Sequence, residues 1–149
     1  MRPLAMRMRE KVVLRVVARG FVPFVVLFGL YVQFHGDFGP GGGFQAGVIV
    51  ASGLILYSMI FGLEAVSRVV PAAWAEVGAC SGVLLYGGVG VASLFLGGNF
   101  LDYSVLDSHD PVHGQHLGIL LVELGVGLTV ASVMLSFYYA FAGRARKAP

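Results

Sequence analysis

Charge is scarce in this sequence: Asp, Glu, Lys and Arg make up 12% of its 149 residues, while 57% are hydrophobic. A soluble domain carries about a quarter charged residues, and so few cannot cover a water-exposed surface. Cysteine is nearly absent. The single Cys80 excludes a disulfide framework and, inside an apolar run, reads as a small packing residue. No A-x-A cleavage site follows the first apolar run, which is also too long for a cleaved signal peptide. Internal repeats are missing, and so are low-complexity tails beyond a short basic C-terminus.

The apolar residues fall in long blocks. A spanning helix needs about 20 predominantly apolar residues, and blocks at about 12–34, 44–63, 77–98 and 116–141 meet that length. They predict an all-α membrane protein, a single membrane domain over 1–149 with four transmembrane helices. Ahead of the first block, Arg7, Lys11, Arg15 and Arg19 recur every four residues and share one helical face. This basic amphipathic lead-in over 1–19 either lies at the headgroups or on a neighbour, or snorkels as a plain anchor. Pro23 is expected to kink the first span.

Lys and Arg set the orientation. Arg2, Arg7, Arg9, Lys11, Arg15 and Arg19 precede or open the first span, Arg144, Arg146 and Lys147 follow the fourth, and Arg68 lies between the second and third. The other two connections, about 35–43 and 99–115, hold Asp37, Asp102, Asp107 and Asp110 but no Lys or Arg. The positive-inside rule then places both termini in the cytoplasm, as an even number of spans requires. Trp74 reads as an interfacial anchor.

Small residues let spanning helices approach closely. The second span carries Gly43, Gly47 and Ala51 at four-residue spacing, continued by Ser58 and Gly62; the third carries Gly78, Gly82, Gly87, Gly88 and Gly90. In the fourth, Gly114, Gly118, Gly125, Thr129, Ser132 and Ser136 form one stripe. Glu123 points about 160° away from Gly125 on that helix. An acidic side chain deep in a span faces protein or water rather than lipid. With the small stripe packed inside the chain, Glu123 is expected to face another subunit, either as a structural hydrogen-bonding group or as part of a proton or cation path. Glu64 and Glu76 flank the connection between the second and third spans and read as solvated or paired at the interface.

The connection between the first two spans reads Phe34-His35-Gly36-Asp37-Phe38-Gly39-Pro40-Gly41-Gly42-Gly43-Phe44-Gln45-Ala46-Gly47. Pro40 restricts its predecessor to extended backbone, and the glycines after it accept positive φ and expose their amides. A phosphate loop would require Gly-Lys-Ser/Thr, and Phe44-Gln45 stand there instead; G-x-G-x-x-G fails at Phe44 too. His35 either staples this external Gly-rich loop by a hydrogen bond or belongs to an ion path, with Asp37 a further polar candidate. His109, His113 and His116 tempt a zinc reading, but Pro111 is expected to start the fourth helix and leave His109 outside the regular turn. They read as solvated loop residues. No catalytic residue, metal, cofactor or nucleic-acid partner is expected.

The run from His35 to Gly47 resembles the signature of the B subunit of Mrp-type Na+/H+ antiporters, whose members read Tyr-x-x-x-His-Gly and then Pro-Gly-Gly-Gly-Phe-Gln-x-Gly. Tyr31 and His35 match the first part, and Pro40, Gly41, Gly42, Gly43, Phe44, Gln45 and Gly47 the second. The segment His116-Leu117-Gly118-Ile119-Leu120-Leu121-Val122-Glu123-Leu124-Gly125-Val126 is similar to the family's apolar run ending in an acidic residue, a small step and Gly-Val. Many members have Asp where Glu123 stands. The resemblance covers most of the chain; 64–76 and 99–115 are not diagnostic.

It implies an accessory membrane subunit of a hetero-oligomeric antiporter in the prokaryotic cell membrane. Its partners would include larger subunits similar to those of respiratory complex I, with Na+ and H+ the transported ions of the complex. The same module occurs in membrane-bound hydrogenases and respiratory complexes, so the equivalent subunit of such an assembly is the alternative, and a purely architectural subunit is another. Glu123 is the one deep ionisable group, and a complete pump needs a series of buried Lys and Glu. The chain is therefore expected to contribute an interface or one wall of a path.

Overall fold

A computed structural model describes residues 11–36 and 39–147. The arginines of segment 1–10 and Asp37 lie outside the described residues, so the lead-in is seen only from Lys11 onward. Four helices are long and apolar enough to cross a membrane: α1 (Val12–His35), α2 (Gly43–Phe61), α4 (Ala72–Phe95) and α5 (Pro111–Lys147). A short α3 (Leu63–Val69) and a 3-10 turn (Tyr103–Leu106) complete the described elements. The fold is the all-α, four-span membrane protein that the apolar blocks predict. α1 passes through Pro23 without a break in the helix.

Several helix ends differ from the ends of the apolar blocks. The second span stops at Phe61 because Gly62 adopts φ +97 and ψ 158 and donates its N–H to Ser58, after which α3 runs as a separate helix. Hydropathy cannot register that break, since apolar residues continue on both sides of Gly62. The third span begins at Ala72 rather than 77, so Trp74 sits in its first turn, exposed at the rim. The fourth helix begins at Pro111, the residue expected to start it, five residues ahead of its apolar block. Asp110 caps it, its carboxylate accepting from the N–H groups of Val112 (3.0 Å) and His113 (3.2 Å).

The four long helices form one open layer in the order α1–α2–α5–α4. α1 packs on α2, α2 on α5 and α5 on α4; no comparable packing joins α4 to α1 or α2 among the described residues. Small residues make each crossing. A methyl group on Gly29 of α1 would stand 2.8 Å from Val50 of α2. One on Gly47 of α2 would stand 2.6 Å from the Gly127 carbonyl oxygen of α5, and one on Gly125 of α5 would stand 2.8 Å from the Gly82 carbonyl oxygen of α4. The Gly125, Thr129 and Ser132 stripe thus meets Gly82 and Gly78 of α4, while Gly114 and Gly118 meet Tyr103 of the 3-10 turn. Gly87 and Gly88 have open space before them and join no crossing.

Contacts at the two ends of the layer show how the chain runs. At one end Arg19 lies over the Phe61 ring at 5.8 Å, the Tyr138 hydroxyl donates to Ser58 Oγ at 2.9 Å, and the Tyr139 hydroxyl donates to the Val70 carbonyl. At the other, α1 ends and α2 begins beside Glu123. Next to that level Gly125 meets Gly82 and Tyr86, yet α4 continues nine residues beyond Tyr86 to Phe95, about 14 Å at helical rise. This end is stepped: the α1–α2 half stops short of the α4–α5 half.

Candidate functional site

The site lies where the connection between α1 and α2 meets α5. Gly42 takes φ +110 and ψ 178, a conformation essentially closed to residues with a Cβ, and so turns the chain sharply into α2. Its N–H reaches back to the Val32 carbonyl at 3.4 Å, and its own carbonyl accepts from Ala46 at 3.0 Å as the first turn of α2 closes. The loop is thereby tied to the end of α1 on one side and to the start of α2 on the other.

Glu123 fills the space that these glycines leave. A methyl on Gly36 would stand 2.5 Å from both carboxylate oxygens, and one on Gly42 would stand 2.9 Å from Oε1. A methyl on Gly43 would strike the Glu123 backbone carbonyl. The expectation that Glu123 faces another subunit is corrected: its carboxylate seats against the glycine connection of its own chain. The angular argument gave the right direction, but α2 and the loop occupy that side of α5. Both faces of α5 are used internally, one by α4 and one by α2. The carboxylate also stands at the N-terminal end of α2, where free amides and the helix dipole favour negative charge.

The remaining predicted residues divide into groups. Gly42, Gly43, Ala46 and Gly47 are buried against α5, while Pro40, Phe44 and Gln45 are exposed. His35 stacks on Tyr31 (ring centroids 5.3 Å apart, 15° between planes), which in turn stacks on Phe28. Its Nε2 borders Gly39, so it packs over the loop with Tyr31, whereas Glu123 borders Gly36, Gly42 and Gly43.

One polar residue went unremarked in the sequence. Gln33, in the last turn of α1, is 5% exposed, and its Nε2 is buried with no hydrogen-bond partner among the described residues. Its Oε1 lies against Gly127, one turn of α5 from Glu123. The only signal was an amide inside an apolar block.

The histidine segment forms a separate clip. Asp107 accepts from the N–H groups of His109 (3.0 Å) and Asp110 (3.2 Å), and its second oxygen pairs with His113 Nδ1 at 2.9 Å. The His109 amide, with the His113 ring and the Asp110 amide, holds the Asp107 carboxyl below its ordinary range. His113 is thus engaged with a carboxylate, and no group of three or more His, Cys, Asp or Glu among the described residues is arranged to hold a metal ion.

Fold and site together define a small four-span membrane protein whose conspicuous polar centre is a carboxylate seated on a glycine connection. Comparison with known proteins makes the assignment specific. A family model described as a domain related to the MnhB subunit of Na+/H+ antiporter matches residues 13–136. A protein of Staphylococcus haemolyticus named as antiporter subunit mnhB2 is 34% identical over 134 residues, covering 89% of this chain and 94% of the relative. Its counterpart of the same name in Staphylococcus aureus is 33% identical over the same shares. The chain belongs to this MnhB-related family.

Proposed function

We propose that this chain, a small subunit of a multisubunit Na+/H+ antiporter in the prokaryotic plasma membrane, serves by presenting an open helix layer to its neighbours. Those neighbours include larger subunits similar to those of respiratory complex I, and its part is in transport rather than catalysis. The observation that carries the reading is the single layer. A closed bundle buries one face of every helix, whereas here a third at most of the residues in any span are buried within the chain. Broad apolar faces on both sides are left for lipid and for other spans. The distribution of Lys and Arg supports cytoplasmic termini with the glycine connection outside.

Within that role, Glu123 is the residue we assign to the ion path, with Gly36, Gly42 and Gly43 shaping its seat and His35 packing the loop from its other side. Glu123→Gln keeps the shape of the side chain and removes its charge. Assembly is expected to persist while Na+-dependent proton movement in inverted vesicles falls at least tenfold. Unchanged exchange in a fully assembled complex would leave the subunit purely architectural. Purification in mild detergent tests the wider assignment: several hydrophobic proteins, large ones among them, should accompany the chain, and recovery of it alone and monodisperse would overturn the complex.

A further inference from the structure

One face of α1 changes character along its length. Lys11, Arg15 and Arg19 stand four residues apart, and Val22, Val26 and Leu30 continue the same stripe at spacings of three and four. The first half of the stripe is cationic and the second apolar. Counted at helical rise from His35, Arg15 lies about 30 Å along α1 and Arg19 about 24 Å. A hydrocarbon core is about 30 Å thick, so Arg15 stands at headgroup level. Arg19 is one turn inside it, and a side chain of that length snorkels outward.

The apolar half of the stripe forms one wall of a groove of about 520 Å³ between α1, α2 and α3, where it meets Leu54, Tyr57 and Val69. No Asp or Glu lines this groove among the described residues. Val22 to Leu30 covers about 12 Å at helical rise, most of the roughly 15 Å that one leaflet gives to the core. At the headgroup end a second recess is bordered by Arg15, Arg19 and Gly20. A Cβ on Gly20 would meet nothing within 4 Å. Tyr57 stands between the two levels, because Phe61 meets Arg19 while Gly53 meets Val25 and Val26. Its ring is apolar and its hydroxyl polar, as the boundary between headgroup and chain demands.

Charge selects the occupant. Arg15 and Arg19 are exposed, and neither pairs with a carboxylate among the described residues. Arg19 rests on the Phe61 ring, a neutral group. Segment 1–10 adds Arg2, Arg7 and Arg9 against the single Glu10, so the chain's own lead-in has the wrong sign to neutralise them. An apolar span of another subunit would fill the groove and leave the arginines unanswered. A phosphate answers them, since its oxygens accept the forked N–H groups of Arg in pairs. An amphiphile with an anionic head and an apolar tail matches both halves of the stripe.

We propose that this groove is the seat of one anionic phospholipid, its phosphate held by Arg15 and Arg19 and an acyl chain laid along Val22, Val26 and Leu30. Basic pockets beside spanning helices on the cytoplasmic side gather acidic headgroups, in keeping with the orientation that the Lys and Arg distribution supports. The seat lies at the far end of α1 from Glu123 and does not depend on an ion path there.

The test uses the assembled complex in lipid nanodiscs that contain a phosphatidylglycerol with a photoactivatable group on its acyl chain, the labelled peptides being read by mass spectrometry. Labels should fall on Val22–Leu30 and on the Leu54 and Val69 side of the groove. Added phosphatidylglycerol should compete them away and phosphatidylcholine should not. Arg15→Gln with Arg19→Gln removes a charge-assisted bond at each position, and labelling should drop about tenfold or more. Should that pair fail to insert, Gly20→Leu keeps every charge and narrows the mouth in space where nothing else stands; its labelling should also drop. Equal competition by both lipids, labelling unchanged in the variants, or no label in the groove would each overturn the proposal. So would photo-cross-links that place another subunit or residues 1–10 of this chain in the groove. Subunit membership is read separately by co-purification, and none of these results alters it.

Discussion

Glycine has two different uses along this chain, and substitution separates them. At Gly47 an added side chain runs into the Gly127 carbonyl oxygen and Val130, so α2 and α5 must move apart. Gly47→Val should cost about 1–3 kcal/mol, the usual range for overpacking a tight contact, seen as a lower thermal midpoint of the detergent-solubilised protein. Gly87 has nothing within reach of a Cβ, and Gly87→Ala should change stability by no more than about 0.5 kcal/mol. The spacing of small residues marked Gly43, Gly47, Gly78, Gly82 and Gly125 as contact positions, and they are. It could not separate these from Gly87 and Gly88, because periodicity reports which residues share a face and not what stands opposite. Glu123 shows the same limit: its direction on the helix was legible, its neighbour was not. Gln33 was hidden for a simpler reason, since one amide in an apolar block barely alters the pattern.

Among the elements, the ends carry the information that hydropathy lacks. Gly62 separates α2 from α3 with a backbone conformation essentially reserved for glycine. Gly62→Ala should therefore cost about 1–3 kcal/mol, measured by the same thermal midpoint, although no side-chain contact is lost. Nearby, Tyr138 donates to Ser58, which is 2% exposed. Tyr138→Phe removes the bond and leaves a buried hydroxyl with one partner fewer, a loss of about 1 kcal/mol. At the opposite end, the Asp107 clip has a defined pH window. Its carboxyl is held below the ordinary value by the His109 amide first, then by the His113 ring and the Asp110 amide. A carboxyl lowered on folding contributes fully above its unfolded value of about 3.9. That contribution is lost as pH falls through the lower folded value. Protection of the His109 and Asp110 amides, corrected for intrinsic exchange, should hold from pH 7 to pH 5 and fail only in stronger acid. Early loss near pH 6 would show that the Asp107 carboxylate does not hold the clip.

At the scale of the whole molecule, the number of spans was legible because apolar length is a direct physical requirement of the bilayer. Their lateral order α1–α2–α5–α4 was not, since chain neighbours need not be spatial neighbours and α4 follows α2 in sequence without packing on it. The connection after α4 allows α5 to return between them. A layer so open should depend on its surroundings: removed from partner subunits, the chain is expected to lose thermal stability and to aggregate as detergent is thinned, while the intact complex does not. Matched melting curves of the isolated chain and the complex would show it.

The stepped end of the layer bears on electrical work. α4 runs about 14 Å past the level of Tyr86, while α1 and α2 stop beside Glu123. α1, with 24 residues, still covers about 36 Å, enough for a bilayer core of about 30 Å, so the step sets Glu123 near one edge of the core with nearly the whole insulator on its other side. The membrane potential would then fall mostly across the remaining thickness. Moving an elementary charge through a 100 mV potential involves about 2.3 kcal/mol, nearly all of it met between the carboxylate and the opposite end of the layer. Arrival from the stepped end would be almost voltage-neutral, and onward passage would carry the voltage dependence.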